Sequence, residues 1–302
     1  MDRVLEYEIP SEYDGANITT VLKQHFKIST NLIKDLKKYK EGIQVNGEHK
    51  RVVDFVAKGD ILKITIRDTA SENIVPTDIP LDIVYEDEDV LVINKLPNMP
   101  THPSMGNYEN SLANGVMYYY KSKGEERVFR AVNRLDKDTS GLMAVAKNSY
   151  IHARLGEEIQ KKELKRKYMC IVCGDVEHDG TVDAPIRRAD GSVINRIVAP
   201  DGQRAVTHYR VIKRYGEYTL LEMKLETGRT HQIRVHMAYI GHPVTGDEVY
   251  GNGSPKWLCG QCLHAKKIGF IHPDGRYMEF DSELPDYFKK LLANLETQKT
   301  EI

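Results

Sequence analysis

The residues best equipped for chemistry stand in one stretch, Ala131 to Asn148. Six of the seven positions from Arg134 to Ser140 are polar (Arg134, Asp136, Lys137, Asp138, Thr139 and Ser140), and Gly141 and the apolar run Leu142–Ala146 follow. A short unbroken apolar run is the pattern of a buried strand. A polar loop held between apolar segments carries function more often than packing. On these residues alone two readings stand. Asp138, Thr139 and Ser140 suit a turn that bonds its own backbone, with Asp136 an ordinary ion pair. Equally, a carboxylate fixed among the charges of Arg134 and Lys137 is equipment for nucleophilic or acid–base catalysis.

The cysteines and histidines argue against a metal. Cys170–Cys173 and Cys259–Cys262 form two Cys-x-x-Cys pairs, formally a zinc pattern. The pairs lie far apart, and Cys170 and Cys173 fall in a strand-like run, where residues three apart point to opposite faces. Reduced, buried thiols are the expectation. His231, His236 and His242 are five and six residues apart, which fits neither the four-residue helical pair nor a known ligand pattern. No metal and no cofactor are expected.

Arg134-Leu-Asp-Lys-Asp-Thr-Ser-Gly-Leu142, followed by an apolar strand and Lys147, closely resembles the signature of the RluA-type pseudouridine synthases. The resemblance implies that Asp136 is the catalytic residue. It also implies that Arg134 helps extrude the target uridine and fills the vacated stack. Lys95-Leu-Pro97 and Thr101-His-Pro103 resemble the family's opening motif, with Leu96 inserted. The segment leading to Tyr168 resembles the second motif, whose Tyr lies against the base, where it can stack, hydrogen-bond or relay a proton. Leu225-Glu-Thr-Gly-Arg-Thr-His-Gln-Ile-Arg-Val-His-Met237 matches the third motif almost residue for residue and implies Arg234 as the partner of Asp136. A guanidinium beside a desolvated carboxylate keeps it ionised. One departure is Asn133, where the family usually has His. Asn still donates and accepts hydrogen bonds, so altered loop support is the expectation.

The resemblance spans Ile79 to Pro285. It implies a reaction that breaks the bond between base and sugar, turns the base and rejoins it through carbon, with no redox partner needed. Structured RNA is the implied substrate, first of all large-subunit ribosomal RNA. Alternatives are transfer RNA, or a non-catalytic RNA-binding or ribosome-assembly protein on the same fold. A metal-dependent hydrolase using the His and Cys residues would instead hold zinc. No membrane contact and no obligatory protein partner are inferred.

The elements that must position these residues belong to a chain of 302 residues, 40% hydrophobic and 29% charged, with net charge −1. That composition is globular, and the near-neutral charge confines RNA contact to local patches. A charged amino terminus and the lack of a long apolar run point to a cytoplasmic protein. Ile18, Val21, Leu22 and Phe26 recur at helical spacing. A second helix follows Ser29-Thr30 with Leu32, Ile33, Leu36 and Tyr39 on its apolar side. Asn46-Gly47 then announces a hairpin, and Ile61–Ile66 a strand. This order resembles the small RNA-binding module named after a ribosomal small-subunit protein, the S-four domain. It implies phosphate contacts from Lys34, Lys37, Lys38, Lys50 and Arg51.

The expected organisation is a domain over residues 1–67, a linker over 68–80 and a catalytic domain over 81–302. The fold class is α+β, the second domain being implied to have a large mixed, mainly antiparallel sheet flanked by helices. Within it, helices are expected over Ser111–Lys123, from a Ser149 cap through Glu163 with a basic end reaching Lys165–Lys167, and from a Thr230 cap to Ile240. Asp183–Arg187 and Ala205–His208 resemble family segments around the sheet. The tail from Leu295 is expected to fray.

Overall fold

The computed structural model describes residues 2–67, 73–161, 163–251, 258 and 260–300, with side chains to residue 297. In the N-terminal unit, strands β1 (Arg3–Glu8), β2 (Ile43–Val45), β3 (Glu48–His49) and β4 (Ile61–Ile66) form an antiparallel sheet in the order β1-β4-β2-β3. Helix α1 (Ile18–Gln24) is capped by Asn17, which accepts from Thr20 N–H, and α2 (Thr30–Leu36) by Ser29, which accepts from Leu32 N–H. Asn46 and Gly47 have φ of 53° and 82°, as the hairpin turn requires. Tyr39 lies beyond the end of α2, where Arg67 stacks on its ring at 4.7 Å. The edge strand β1 goes beyond the expectation, because only Leu5 and Tyr7 of its apolar residues lie on the covered side while Arg3 shares that side and Val4 is exposed.

The unit is not set apart by a free linker. Residues 68–72 of the expected linker lie outside the described residues, and residues 73–80 run along α3 (Leu112–Ser122). There Asn114 Nδ2 donates to Val75 O at 2.7 Å, and Thr77 N–H donates to Asn114 O at 3.1 Å. Arg3 donates to Glu88 and Asp89 across the junction at 2.9 Å each. Ile18, Leu22, Leu62 and Ile64 belong to the same apolar layer as Val92, Ala144, Ile151 and Phe270.

The remaining strands are β5 (Ile83–Glu86), β6 (Val90–Lys95), β7 (Ser140–Ala146), β8 (Lys165–Cys173), β9 (Gly180–Asp183), β10 (Ile186–Arg188), β11 (Arg196–Val198), β12 (Val206–Arg214), β13 (Tyr218–Leu225), β14 (Leu263–Ile271) and β15 (Tyr277–Asp281). Nine of them make one sheet, ordered β5-β6-β7-β14-β8-β13-β12-β9, with β15 also on β14; β10 and β11 form a separate hairpin. Among the described strands only β7 and β14 pair in parallel, so the sheet is mixed and mainly antiparallel as expected. Helices α4 (Ser149–Gln160), α5 (Gln232–Tyr239) and α6 (Asp286–Thr300) complete the described α-helices, and none is long and apolar enough to cross a membrane.

Both faces of the central strands are covered. On β7, Leu142, Ala144 and Ala146 face one core while Met143 and Val145 face the other, which is why that segment reads as an unbroken apolar run. Gly141 has φ 112°, and a Cβ there would lie 2.4 Å from Ala265 O, so the close approach of β14 demands glycine. Cys170 and Cys262 are free and buried in separate apolar clusters, and Cys173 is free and half-buried; Cys259 lies outside the described residues.

Three expected boundaries move. Helix α4 is capped by Asn148, which accepts from Ile151 N–H, and it stops at Gln160, so Lys165–Lys167 open strand β8 and do not lie at a helix end. Lys162 lies outside the described residues. Helix α6 runs on through Leu295 to Thr300, since Phe288, Leu291 and Leu295 recur at helical spacing and pack against Ile171 and Cys262; residues 301–302 lie outside the described residues.

Candidate active site

The polar loop ahead of β7 is fastened from several sides. Asn133 is buried; its Oδ1 accepts from Ala144 N–H at 2.9 Å and its Nδ2 donates to Leu142 O at 3.4 Å, so it supports the loop from the strand that follows. Thr101 Oγ1 donates to Leu135 O at 2.9 Å. Lys95 is 1% exposed, and its ammonium donates to Leu96 O, Met99 O and Lys137 O at 2.8 to 3.0 Å. Burial pushes that ammonium down to about 7, against the fields of Asp138 and Asp136. The Thr139 hydroxyl accepts from Gln261, and Ser140 Oγ lies 2.9 Å from His264 Nδ1. These side chains hold remote segments together and do not close a local turn.

His264 couples this anchoring to pH. Its other nitrogen lies 2.9 Å from Ser282 Oγ, and burial, aided by Lys266 and opposed by Asp281, pushes the imidazole down to about 4 from 6.5. The unfolded chain therefore takes up this proton first, so the contribution is complete above pH 6.5 and is lost as pH falls toward about 4. The loss should be on the order of 3 kcal/mol. His264→Gln should flatten the dependence of the urea midpoint between about pH 6.5 and 4. An unchanged slope would contradict the assignment.

Arg234 reaches the loop from α5. That helix starts later than expected: Thr230 does not cap it, and His231 enters it with a left-handed φ of 58°. The turn is held by Gln232 Oε1, which accepts from Thr227 Oγ1 at 2.7 Å and Arg229 N–H at 3.0 Å. Arg234 Nη1 donates to Asp136 Oδ2 at 3.2 Å. Its main partner is one the sequence reading did not single out: Nε and Nη2 donate to the two oxygens of Asp247 at 2.6 and 2.8 Å. The Asp247 side chain is fully buried and also accepts from Val249 and Tyr250 N–H. Burial alone would raise its carboxyl; the Arg234 fork and the two N–H groups hold it below the ordinary range. Burial likewise opposes the Arg234 charge, but bonding to Asp247 and the fields of Asp136 and Asp247 outweigh it and raise the guanidinium. The string Gly246-Asp-Glu-Val-Tyr-Gly251 was visible, but nothing local to it names a partner on α5.

Asp136, with 23% of its side chain exposed, meets a cleft of about 520 Å³. Asn133, Arg134, Arg166, Tyr168 and Arg234 share its lining. Tyr168 on β8 is 4% exposed; burial raises its phenol, with Arg166 opposing and Asp136 adding. Arg166, two residues earlier on the same face of β8, keeps a buried Nε with no hydrogen-bond partner among the described residues. Arg134 is exposed. A space of this size fits a small organic group, and a carboxylate in its wall can attack or deprotonate what enters.

The other sequence candidates lie elsewhere. Lys34 and Lys37 are exposed on the N-terminal unit, while Lys38, Lys50 and Arg51 pair with Asp35, Glu48 and Asp54. The three histidines do not converge: His231 meets Tyr250 OH, His236 meets Thr207 Oγ1 and Ala184 O, and His242 meets Cys173 O. Among the described residues no group of three His, Cys, Asp or Glu side chains is placed to hold a metal.

Fold and cleft together suit an enzyme whose carboxylate works on a small organic group. Residues 89–239 match the RNA pseudouridylate synthase family, to which the chain belongs. It is similar to YjbO, an uncharacterized RNA pseudouridine synthase of Bacillus subtilis strain 168, with 43% identity over 268 residues, 88% of this chain and 94% of that protein. With ribosomal large subunit pseudouridine synthase D of Escherichia coli K12 it shares 42% identity over 246 residues, 75% of each chain. The solved human RNA pseudouridylate synthase domain containing 4 has the same fold, with a TM-score of 0.59 at 23% identity over 71% of this chain and 93% of its own.

Proposed function

We propose that this pseudouridine synthase acts on large-subunit ribosomal RNA with Asp136 as the catalytic carboxylate. The observation that carries the reading is that Arg234 draws Asp136 to the wall of a 520 Å³ cleft that it shares with Tyr168. Ribosomal RNA is preferred to transfer RNA because the relative from Escherichia coli carries the large subunit in its name. A purely RNA-binding role gives no reason to bury a carboxylate–arginine pair facing a polyanion.

An extruded uridine enters the cleft with its base against Tyr168, and Arg134 fills the gap it leaves in the RNA stack. Asp136 acts as nucleophile on sugar or base, or as base toward the neighbouring sugar carbon. Positive charge growing on the sugar as the glycosidic bond breaks is stabilised by the same carboxylate. The base then turns, its carbon 5 bonds to the sugar carbon, carbon 5 gives up its proton, and the freed ring nitrogen is protonated. Nothing is gained or lost, so the reaction asks for neither cofactor nor metal. The direct test is to map pseudouridine in large-subunit RNA from cells with and without the gene. Loss of modification in transfer RNA alone would overturn the substrate assignment.

We assign the N-terminal unit an S-four-like role in holding RNA phosphates through Lys34, Lys37, Lys38, Lys50 and Arg51, and the enzyme to the cytoplasm, where ribosomes are assembled. Because the core of this unit is continuous with the catalytic half, substitution is a cleaner test than deletion. Lys34→Gln with Lys37→Gln should reduce the slope of log affinity against log salt by about 1.4 to 1.8. An unchanged slope would remove these residues from the interface.

A further inference from the structure

A second cleft, of about 380 Å³, adjoins the first and shares Arg229 and Thr230 with it. It is lined by Arg187 and Arg188 of β10, Arg196 of β11 and Arg229. We propose that it is a phosphodiester subsite, holding the RNA backbone that runs out of the catalytic cleft beside the target uridine. This rests on the RNA reading above and adds to it a path for the strand.

Charge is the first support. Arg187 is more than offset by Asp190 and by Asp201, the latter itself in the lining, so four arginines against two aspartates leave about two net positive charges. The other three are fixed by carbonyls or left exposed. Arg196 Nη1 donates to Ile194 O at 2.9 Å and Asn195 O at 3.2 Å, and Arg229 Nε donates to Arg204 O at 3.0 Å; Arg188 is exposed. A carbonyl orients a guanidinium without cancelling its charge, and the remaining N–H donors keep the planar fork that suits a phosphate. Such a concentration of positive charge stands out in a chain of net charge −1.

Mechanical continuity is the second support. Arg196 N–H donates to Tyr250 OH at 2.8 Å, and that hydroxyl lies 2.8 Å from His231 Nδ1. The Tyr250 ring sits against Arg234, 5.1 Å from its guanidinium carbon. One wall of the arginine cleft is thus tied through Tyr250 to Arg234, the guanidinium that holds Asp136, and a phosphate seated there has a fixed relation to the carboxylate.

The test compares Arg188→Gln/Arg229→Gln with the parent enzyme on an unmodified transcript of large-subunit ribosomal RNA. Affinity is measured from about 50 to 200 mM salt, and pseudouridine formation on the same transcript. Loss of two phosphate contacts should reduce the salt slope by about 1.4 to 1.8 and raise KM roughly tenfold. Arg188→Lys/Arg229→Lys should restore most of the slope. Arg210→Gln, on β12 and paired with Glu222, is the control and should leave the slope alone. A slope equal to the parent's overturns the subsite, even where the parent modifies the transcript and the catalytic reading stands. Failure of the parent to modify it counts against the substrate assignment, and the slope, a property of binding, still decides the cleft.

Discussion

Asp136→Asn should lose isomerisation by at least about 10³-fold in kcat while keeping the fold and most of the RNA affinity. Asparagine preserves the shape and one acceptor oxygen of the side chain but cannot attack, take a proton or stabilise positive charge on the sugar. Folding survives because the main partner of Arg234 is Asp247, bonded through two nitrogens at 2.6 and 2.8 Å, with Asp136 on the third at 3.2 Å. The readouts are pseudouridine formed per enzyme in a single turnover, the melting temperature and RNA affinity. Turnover close to the parent's would sink the assignment of Asp136.

Arg234→Met should be the most damaging substitution for stability. It leaves Asp247, whose side chain is fully buried, with two backbone N–H donors and no cation. Stranding a buried carboxylate costs about 3–5 kcal/mol, which for a chain of this size lowers Tm by roughly 10 °C. Arg234→Met with Asp247→Leu removes both charges and should regain much of that stability, since a buried pair contributes little net over apolar groups. It should regain no activity, because Asp136 still lacks its anchor. Equal melting temperatures for the parent and Arg234→Met would show that Asp247 is not held as described. Recovery of turnover in the double variant would show that Arg234 serves only to neutralise Asp247.

Most of the fold's local grammar was legible. The Asn46-Gly47 turn, the Ser29 cap, the helix that begins at Ser111 and the buried strand after Gly141 follow from backbone preference and apolar period, which act over a few residues. Errors arose where a neighbour outbid the local signal. Asn148 took the cap expected of Ser149, and Thr230 gave way to a left-handed His231. The helix end through Thr300 depended on a hydrophobic surface supplied by β8. The pairing of Asp136 with Arg234 was implied by the family signature and could not have come from spacing, since 98 positions separate them.

By itself the sequence determined the family signature, the polar loop, the phenol and guanidinium to look for, and most of the elements that carry them. Tertiary structure alone decided that Asp247 holds Arg234, that Lys95 ties the loop to three carbonyls, that the N-terminal core runs on beneath the large sheet, and that four arginines gather beside the cleft. The reason is physical: caps, turns and apolar periods are written in neighbouring residues. An ion pair or a shared cavity exists only after distant segments have been brought together, and its energy depends on burial that no short stretch of chain encodes.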